Sequence, residues 1–145
     1  MDPKTILLVE DNPDDEQLIL MGLKKGGVGN AVEVARDGRE ALDKLFGSGP
    51  AAGADSPRLP VVVLLDLHLP KIDGLEVLQR IRGDARTKLL PIVILTSSKE
   101  ENDRIDSYSM GANSYVCKPV DFAEFSGAVK ALGLYWVLIN TPPRD

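Results

Sequence analysis

The sequence predicts a doubly wound α/β fold, in which a parallel sheet is covered by helices on both faces. Short runs rich in Val, Ile and Leu recur along the chain, too short for helices and too uniformly apolar for half-exposed strands. Between them lie segments with helix-start signals or helical apolar spacing, longer than any hairpin connection, so successive strands must run parallel through right-handed crossovers. The 145 residues suit one domain, since a chain of that size buries about 68–70% of its unfolded surface.

Four runs stand out, most of which read as buried strands: Thr5 to Val9, Ala31 to Ala35, Val61 to Leu65 and Ile92 to Leu95. Asn113 to Cys117 is a weaker fifth. The first helix starts at Asn12 and Pro13, where a capping side chain, a proline and the acids Asp14, Asp15 and Glu16 all suit exposed amides. It runs to about Lys25 and stops at the cluster Gly26, Gly27 and Gly29. That cluster follows a helix and lacks the full GxGxxG spacing, so it reads as a helix end and not as a dinucleotide loop.

The second helix is expected over about Gly38 to Phe46, where Ala41, Leu42, Leu45 and Phe46 recur at helical spacing. The third begins near Asp73, with Leu75, Leu78 and Ile81 facing the sheet and Glu76, Gln79, Arg80 and Arg82 in water. A fourth, about Lys99 to Tyr108, has few apolar residues and is expected to be the most loosely held. The fifth opens at Asp121 with Glu124, followed by the stripe Phe122, Phe125, Val129, Leu132 and Trp136. The Gly-, Ala-, Ser- and Pro-rich stretch from 47 to 60 reads as a long surface loop within one domain spanning 1–145.

Composition narrows the function classes. A net charge of −5 opposes binding to nucleic-acid phosphates or anionic membranes, and no Lys/Arg run offsets it locally. The single cysteine, Cys117, has no internal partner and sits in an apolar run, which suits a small buried side chain. The start of the chain carries no signal-peptide pattern, and every apolar stretch falls short of the ~20 residues that span a bilayer. A cytoplasmic protein is expected.

Ligands of doubly wound sheets bind at the carboxyl ends of the strands, beside the switch in strand order. Glu10 and Asp11 follow the first strand directly, and Asp66 follows the third. If those strands are neighbours, three like charges converge and repel unless a cation joins them. Oxygen-only donors favour magnesium. Thr96 and Ser97 end the fourth strand, and Lys118 and Pro119 end the fifth, adding a hydroxyl and an ammonium to the same rim. Transfer of a phosphoryl group to a carboxylate needs a nucleophile, a metal and further donors for developing charge, and this set contains all three. Lys118 alone would pass for a surface lysine and Thr96 for a helix cap; their company raises them to candidates.

Glu10-Asp11, Asp66 with Leu69-Pro70 and Asp73-Gly74, Thr96-Ser97, and Tyr115 with Lys118-Pro119 resemble the receiver domains of response regulators over nearly the whole chain. The resemblance implies a five-stranded flavodoxin/CheY-like sheet in the order 2-1-3-4-5. It implies that Asp66 is the phosphoacceptor, that Asp11, Asp66 and the backbone carbonyl of His68 ligate Mg2+ directly, and that Glu10 acts through water. Lys118 would pair with phosphoryl oxygens, while Thr96 and Tyr115 would form the switch. A cis Lys118–Pro119 bond is expected. The side chains of His68 and Ser98 would affect phosphoryl lifetime. Such a chain catalyses its own phosphorylation and dephosphorylation but turns over no external substrate. Gly74 and Pro70 are expected to shape the loop beneath the site.

With its long loop and the ending Gly133-Leu134-Tyr135-Trp136, the chain most resembles single-domain regulators partnered with bacterial phytochrome-type histidine kinases. No output domain follows residue 145, so a downstream protein partner is expected. The apolar C-terminal extension, about 132 to 145, has more apolar faces than one sheet can cover, which suggests a homodimer through the fifth helix. Three other functions compete. An aspartyl-phosphate phosphatase would normally need a second Asp where His68 stands. A flavodoxin-like FMN protein would be yellow. A phosphorylation-independent binding module of the receiver fold would usually have lost the acids or the lysine, all of which are present.

Overall fold

The computed structural model describes residues 5–25, 29–47, 59–67, 69–96 and 114–117. In chain order the elements are β1 (Ile6–Val9), α1 (Pro13–Lys25), β2 (Val32–Ala35), α2 (Gly38–Phe46), β3 (Val62–Leu65), α3 (Gly74–Gly83), β4 (Ile92–Thr96) and β5 (Ser114–Cys117). The five strands form one parallel sheet in the order β2-β1-β3-β4-β5, the expected doubly wound arrangement. The first three strands begin one residue later than their apolar runs, because the ladder opens at Ile6, whose N–H donates to the carbonyl of Ala31.

The chain steps from β1 outward to β2 and then crosses back to β3, so right-handed crossovers place α1 on one face and α2 and α3 on the other. The core divides accordingly. Leu7, Val9, Val63, Leu65, Ile92 and Ile94 pack with the buried faces of α2 and α3. Their alternates Ile6, Leu8, Val62, Leu64, Val93 and Leu95 pack with Ile19 and Leu23 of α1. The central strands β1 and β3, and β4 over Ile92 to Leu95, are therefore dry on both sides, which is why they read as continuous apolar runs and not as alternating ones; β2, at the sheet edge, is buried only at Ala35.

Side chains cap the starts of α1 and α2, while Asp73 makes no such bond at the start of α3. The Asn12 side chain accepts from the N–H groups of Asp14 at 2.8 Å and Asp15 at 3.1 Å, capping α1 where the sequence places its start. Asp37 does the same for α2, accepting from the Glu40 N–H at 2.7 Å. α3 departs in detail from expectation. It buries Gly74, Val77, Leu78 and Ile81, a stripe at i, i+3, i+4 and i+7, which leaves Leu75 half-buried at the edge of that cluster. Arg82 is only partly in water. Its guanidinium donates to the carbonyls of Leu90 at 2.7 Å and Lys88 at 3.1 Å, and burial lowers its pKa. A long side chain at the end of a helix can cover apolar surface while its head satisfies loop carbonyls.

The Asp37 carboxyl is held below its ordinary value of 3.8, first by the Glu40 N–H and also by the Lys71 ammonium, against the opposing effect of burial. Its contribution to stability is complete above pH 3.8 and is lost as the pH falls through the lower folded value. We expect Asp37→Asn to show a shallower acid decline of stability below about pH 4, measured by urea unfolding across that range, because an amide caps without titrating. Equal slopes would remove Asp37 from the acid transition.

The expected fourth and fifth helices, the C-terminal extension and residues 48–58 of the long loop lie outside the described residues.

Candidate functional site

β1 and β3 are neighbours in register, with Val9 opposite Leu65, so the next residue on each strand, Glu10 and Asp66, emerges at the same level. Backbone hydrogen bonds extend the pairing past the strands: the Asp66 N–H donates to the Val9 carbonyl at 3.1 Å, and the Glu10 N–H donates to the Ala35 carbonyl at 2.9 Å. Asp11 follows one step later at the surface. One carboxylate oxygen from each of Glu10, Asp11 and Asp66 lies within 4.8 Å of the others. Glu10 and Asp66 are buried while Asp11 is exposed.

Three carboxylates this close repel one another strongly when two are withdrawn from water, and a divalent cation relieves that repulsion. The donor set fits magnesium or manganese. Oxygens on opposite sides of one magnesium ion stand about 4.2 Å apart, a span comparable with the 4.8 Å within which these oxygens lie. Among the described residues the clustered donors are all hard oxygens, which favour such cations over zinc.

The Glu10 carboxylate is positioned by a group that the sequence reading treated only as a helix cap. The Asn12 N–H donates to Glu10 Oε2 at 3.1 Å, while the Asn12 side chain caps α1. The same residue thus joins the start of α1 to the buried acid. Its signal in the sequence is an acid two residues before a capping Asn, a spacing at which side chains reach back to local N–H groups.

Beneath Asp66 the loop from Leu67 to Gly74 closes on itself. The Gly74 N–H donates to the Leu67 carbonyl at 2.9 Å. A Cβ at Gly74 would stand 2.3 Å from the Asp66 carbonyl oxygen and 2.6 Å from Leu67 Cα, so only glycine lets α3 start this close to the acid.

On the other side of β3, Thr96 ends β4 level with Cys117 of β5, and Tyr115 pairs with Ile94. The backbone of Thr96 therefore reaches the same rim as the acids. His68, Ser98, Lys118 and Pro119 lie outside the described residues, and with them the expected third metal ligand, the lysine and the cis bond. No helix among the described residues is long and apolar enough to cross a membrane.

A parallel sheet in this order, with an acidic trio at the β1/β3 switch point, defines a phosphoacceptor class of α/β domain. The family model "Response regulator receiver domain" matches residues 6–130, and the chain belongs to that family. Its members are phosphoacceptors and not enzymes acting on an external substrate. Among solved structures, the bacteriophytochrome response regulator AtBRR is 49% identical, with a TM-score of 0.82 over 97% of this chain and 99% of its own. The response regulator Rcp1 of Synechocystis is 38% identical over 97% of this chain and 94% of its length; its Mn(2+)-bound crystal structure superposes with a TM-score of 0.73 over 99% of both chains. The probable methanogenesis regulatory protein FilR2 of Methanothrix harundinacea is 40% identical over 98% of this chain and 89% of its own. The chain is thus homologous to single-domain phytochrome response regulators.

Proposed function

We propose that this protein is a single-domain response regulator that accepts a phosphoryl group on Asp66 from a histidine kinase and signals by protein contact. The observation that carries this reading is the convergence of Glu10, Asp11 and Asp66 within 4.8 Å, with Asp66 buried at the end of a central strand. An acid in that position is costly to a fold unless it has a chemical task.

In the proposed step, an Asp66 carboxylate oxygen forms a bond to phosphorus as the bond from phosphorus to the donor's leaving group breaks, and the leaving group departs with the electron pair. Glu10 and Asp11, with Asp66 itself, would hold Mg2+, and a bound cation supplies neutralisation of the phosphoryl oxygens. The metal-bound homologue Rcp1 supports the choice of a divalent cation. Lys118 would pair with the phosphoryl oxygens, and Thr96 and Tyr115 would couple the modification to the face near β5. Because the chain brings nucleophile and metal ligands together itself, a small-molecule donor suffices without the kinase.

The similarity to AtBRR and Rcp1 favours a phytochrome-type kinase as donor. The whole chain would act as one receiver domain in the cytoplasm and pair with a second copy through the fifth-helix region; the apolar stripe of the C-terminal sequence supports the pairing.

The test is intact-protein mass after incubation with a small-molecule phosphodonor, with and without magnesium. Wild type is expected to gain one phosphoryl group only with magnesium, and Asp66→Asn none. An unchanged adduct in the variant would move the acceptor elsewhere. Absence of an adduct from wild type, even with its kinase, would favour the phosphorylation-independent binding module.

A further inference from the structure

Among the described residues, Lys71 is the one non-glycine with a positive φ, at 67°. A left-handed backbone costs an ordinary L-residue free energy that glycine or asparagine would largely avoid, and such outliers persist where surrounding structure holds them. Lys71 lies in the loop that joins Asp66 to α3. Its Nζ is 3.3 Å from Asp37 Oδ2, and Asp37 is the residue that caps α2. Next to this pair the backbones meet: the Gly38 N–H donates to the Pro70 carbonyl at 3.4 Å, and a Cβ at Gly38 would stand 2.0 Å from the Ile72 carbonyl oxygen. The loop is thereby pinned at two places, to α2 through residues 70–72 and to its own start through Gly74 and Leu67.

We propose that Asp37 and Lys71 are positioning residues for the acceptor site, an ion pair that clamps the β3–α3 loop onto the start of α2 and so fixes the backbone that carries Asp66. The proposal rests on the reading of Asp66 as a metal-assisted phosphoacceptor. The side chains of the two residues pair with each other and with the Glu40 N–H, not with the acidic trio. They act through the loop, whose closure sets the height and orientation of Asp66 relative to Glu10 and Asp11.

The pair is a poor candidate for a purely stabilising role. Lys71 is 67% exposed and Asp37 19% exposed, and ion pairs this wet contribute little to global stability. Lys71→Gly separates the roles. Glycine takes the left-handed backbone without strain but loses the ion pair, so its losses and gains in stability nearly cancel.

The test measures Mn2+ affinity by electron paramagnetic resonance, with melting temperature and phosphoryl adduct followed in parallel, on wild type, Lys71→Gly, Lys71→Arg and Asp37→Asn. If the clamp positions the site, Lys71→Gly weakens Mn2+ binding about fivefold or more while its Tm stays within about 3 °C of wild type. Asp37→Asn weakens binding in the same direction, and Lys71→Arg binds within about twofold of wild type, since a guanidinium also reaches the carboxylate. Removing the Lys71 charge near an acidic pocket would by its field alone tighten cation binding, so the sign in Lys71→Gly separates positioning from electrostatics, whereas in Asp37→Asn the two act in the same direction.

Unchanged or tighter Mn2+ binding in Lys71→Gly overturns the clamp. So does weakening accompanied by a fall in Tm beyond that margin, or weakening that Lys71→Arg shares. Wild type that binds Mn2+ but takes no phosphoryl group overturns the phosphoacceptor reading and leaves the clamp to be judged by the affinities. Wild type that binds no Mn2+ overturns both.

Discussion

Gly74→Ala is expected to lower stability by about 3 kcal/mol, through overpacking against backbone that no rotamer change can relieve. The added Cβ would meet the Asp66 carbonyl oxygen at 2.3 Å, Leu67 Cα at 2.6 Å and the Leu67 carbonyl oxygen at 2.7 Å, all main-chain atoms at the start of the β3–α3 loop. For a chain of this size the loss corresponds to a fall in Tm of about 10 °C. The damage should not stop at stability, because the loop can relieve the clash only by carrying Asp66 away from the other acids. Divalent-cation binding should weaken in whatever fraction remains folded. Gly22→Ala is the control: Gly22 lies inside α1 with nothing within 4 Å of its Cβ position, and a helical Gly→Ala change there should stabilise by about 0.5–1 kcal/mol. Thermal melts of both variants, with Mn2+ affinity alongside, decide the matter. A Gly74→Ala protein as stable as wild type would mean that α3 can start farther from β3 without penalty.

Magnesium should stabilise the wild-type protein by about 2.7 kcal/mol at a hundred times its dissociation constant, a rise of roughly 8–10 °C in Tm. Asp11→Asn is expected to abolish most of that rise. Asp11 is the exposed member of the trio, so its amide leaves the fold intact and, without metal, relieves repulsion between carboxylates. Scanning calorimetry of wild type and Asp11→Asn, each in chelator and in graded magnesium, gives the comparison. A magnesium increment equal in the two proteins would place the cation elsewhere.

The runs of β1, β3 and β4 and the start of α1 were legible in the sequence because each rests on a local cause: continuous apolar residues where both sheet faces are covered, and a capping Asn with a proline in the first turn. Glu10, Asp11 and Asp66 were legible as candidates for a related reason, since acids placed directly after buried strands have few structural roles. The sequence was less informative about α3. Leu75, Leu78 and Ile81 satisfy helical spacing as well as Gly74, Val77, Leu78 and Ile81 do, and which stripe is buried depends on the rotation at which the helix docks. Arg82 illustrates the same limit: its charge suggested water, while the loop carbonyls of Lys88 and Leu90 gave its head a drier place.

By itself, then, the sequence determined the class of fold and the chemical types gathered at the strand ends, because apolar continuity, capping and strand-terminal acids act over a few residues. The tertiary structure decided what depends on distant segments meeting. The register of Val9 with Leu65 brings Glu10 and Asp66 to one level, the close approach of Gly74 to the backbone of Asp66 and Leu67 sets the loop, and the contact of Asp37 with Lys71 ties that loop to α2. Such meetings follow from the packing of helices on a twisted sheet.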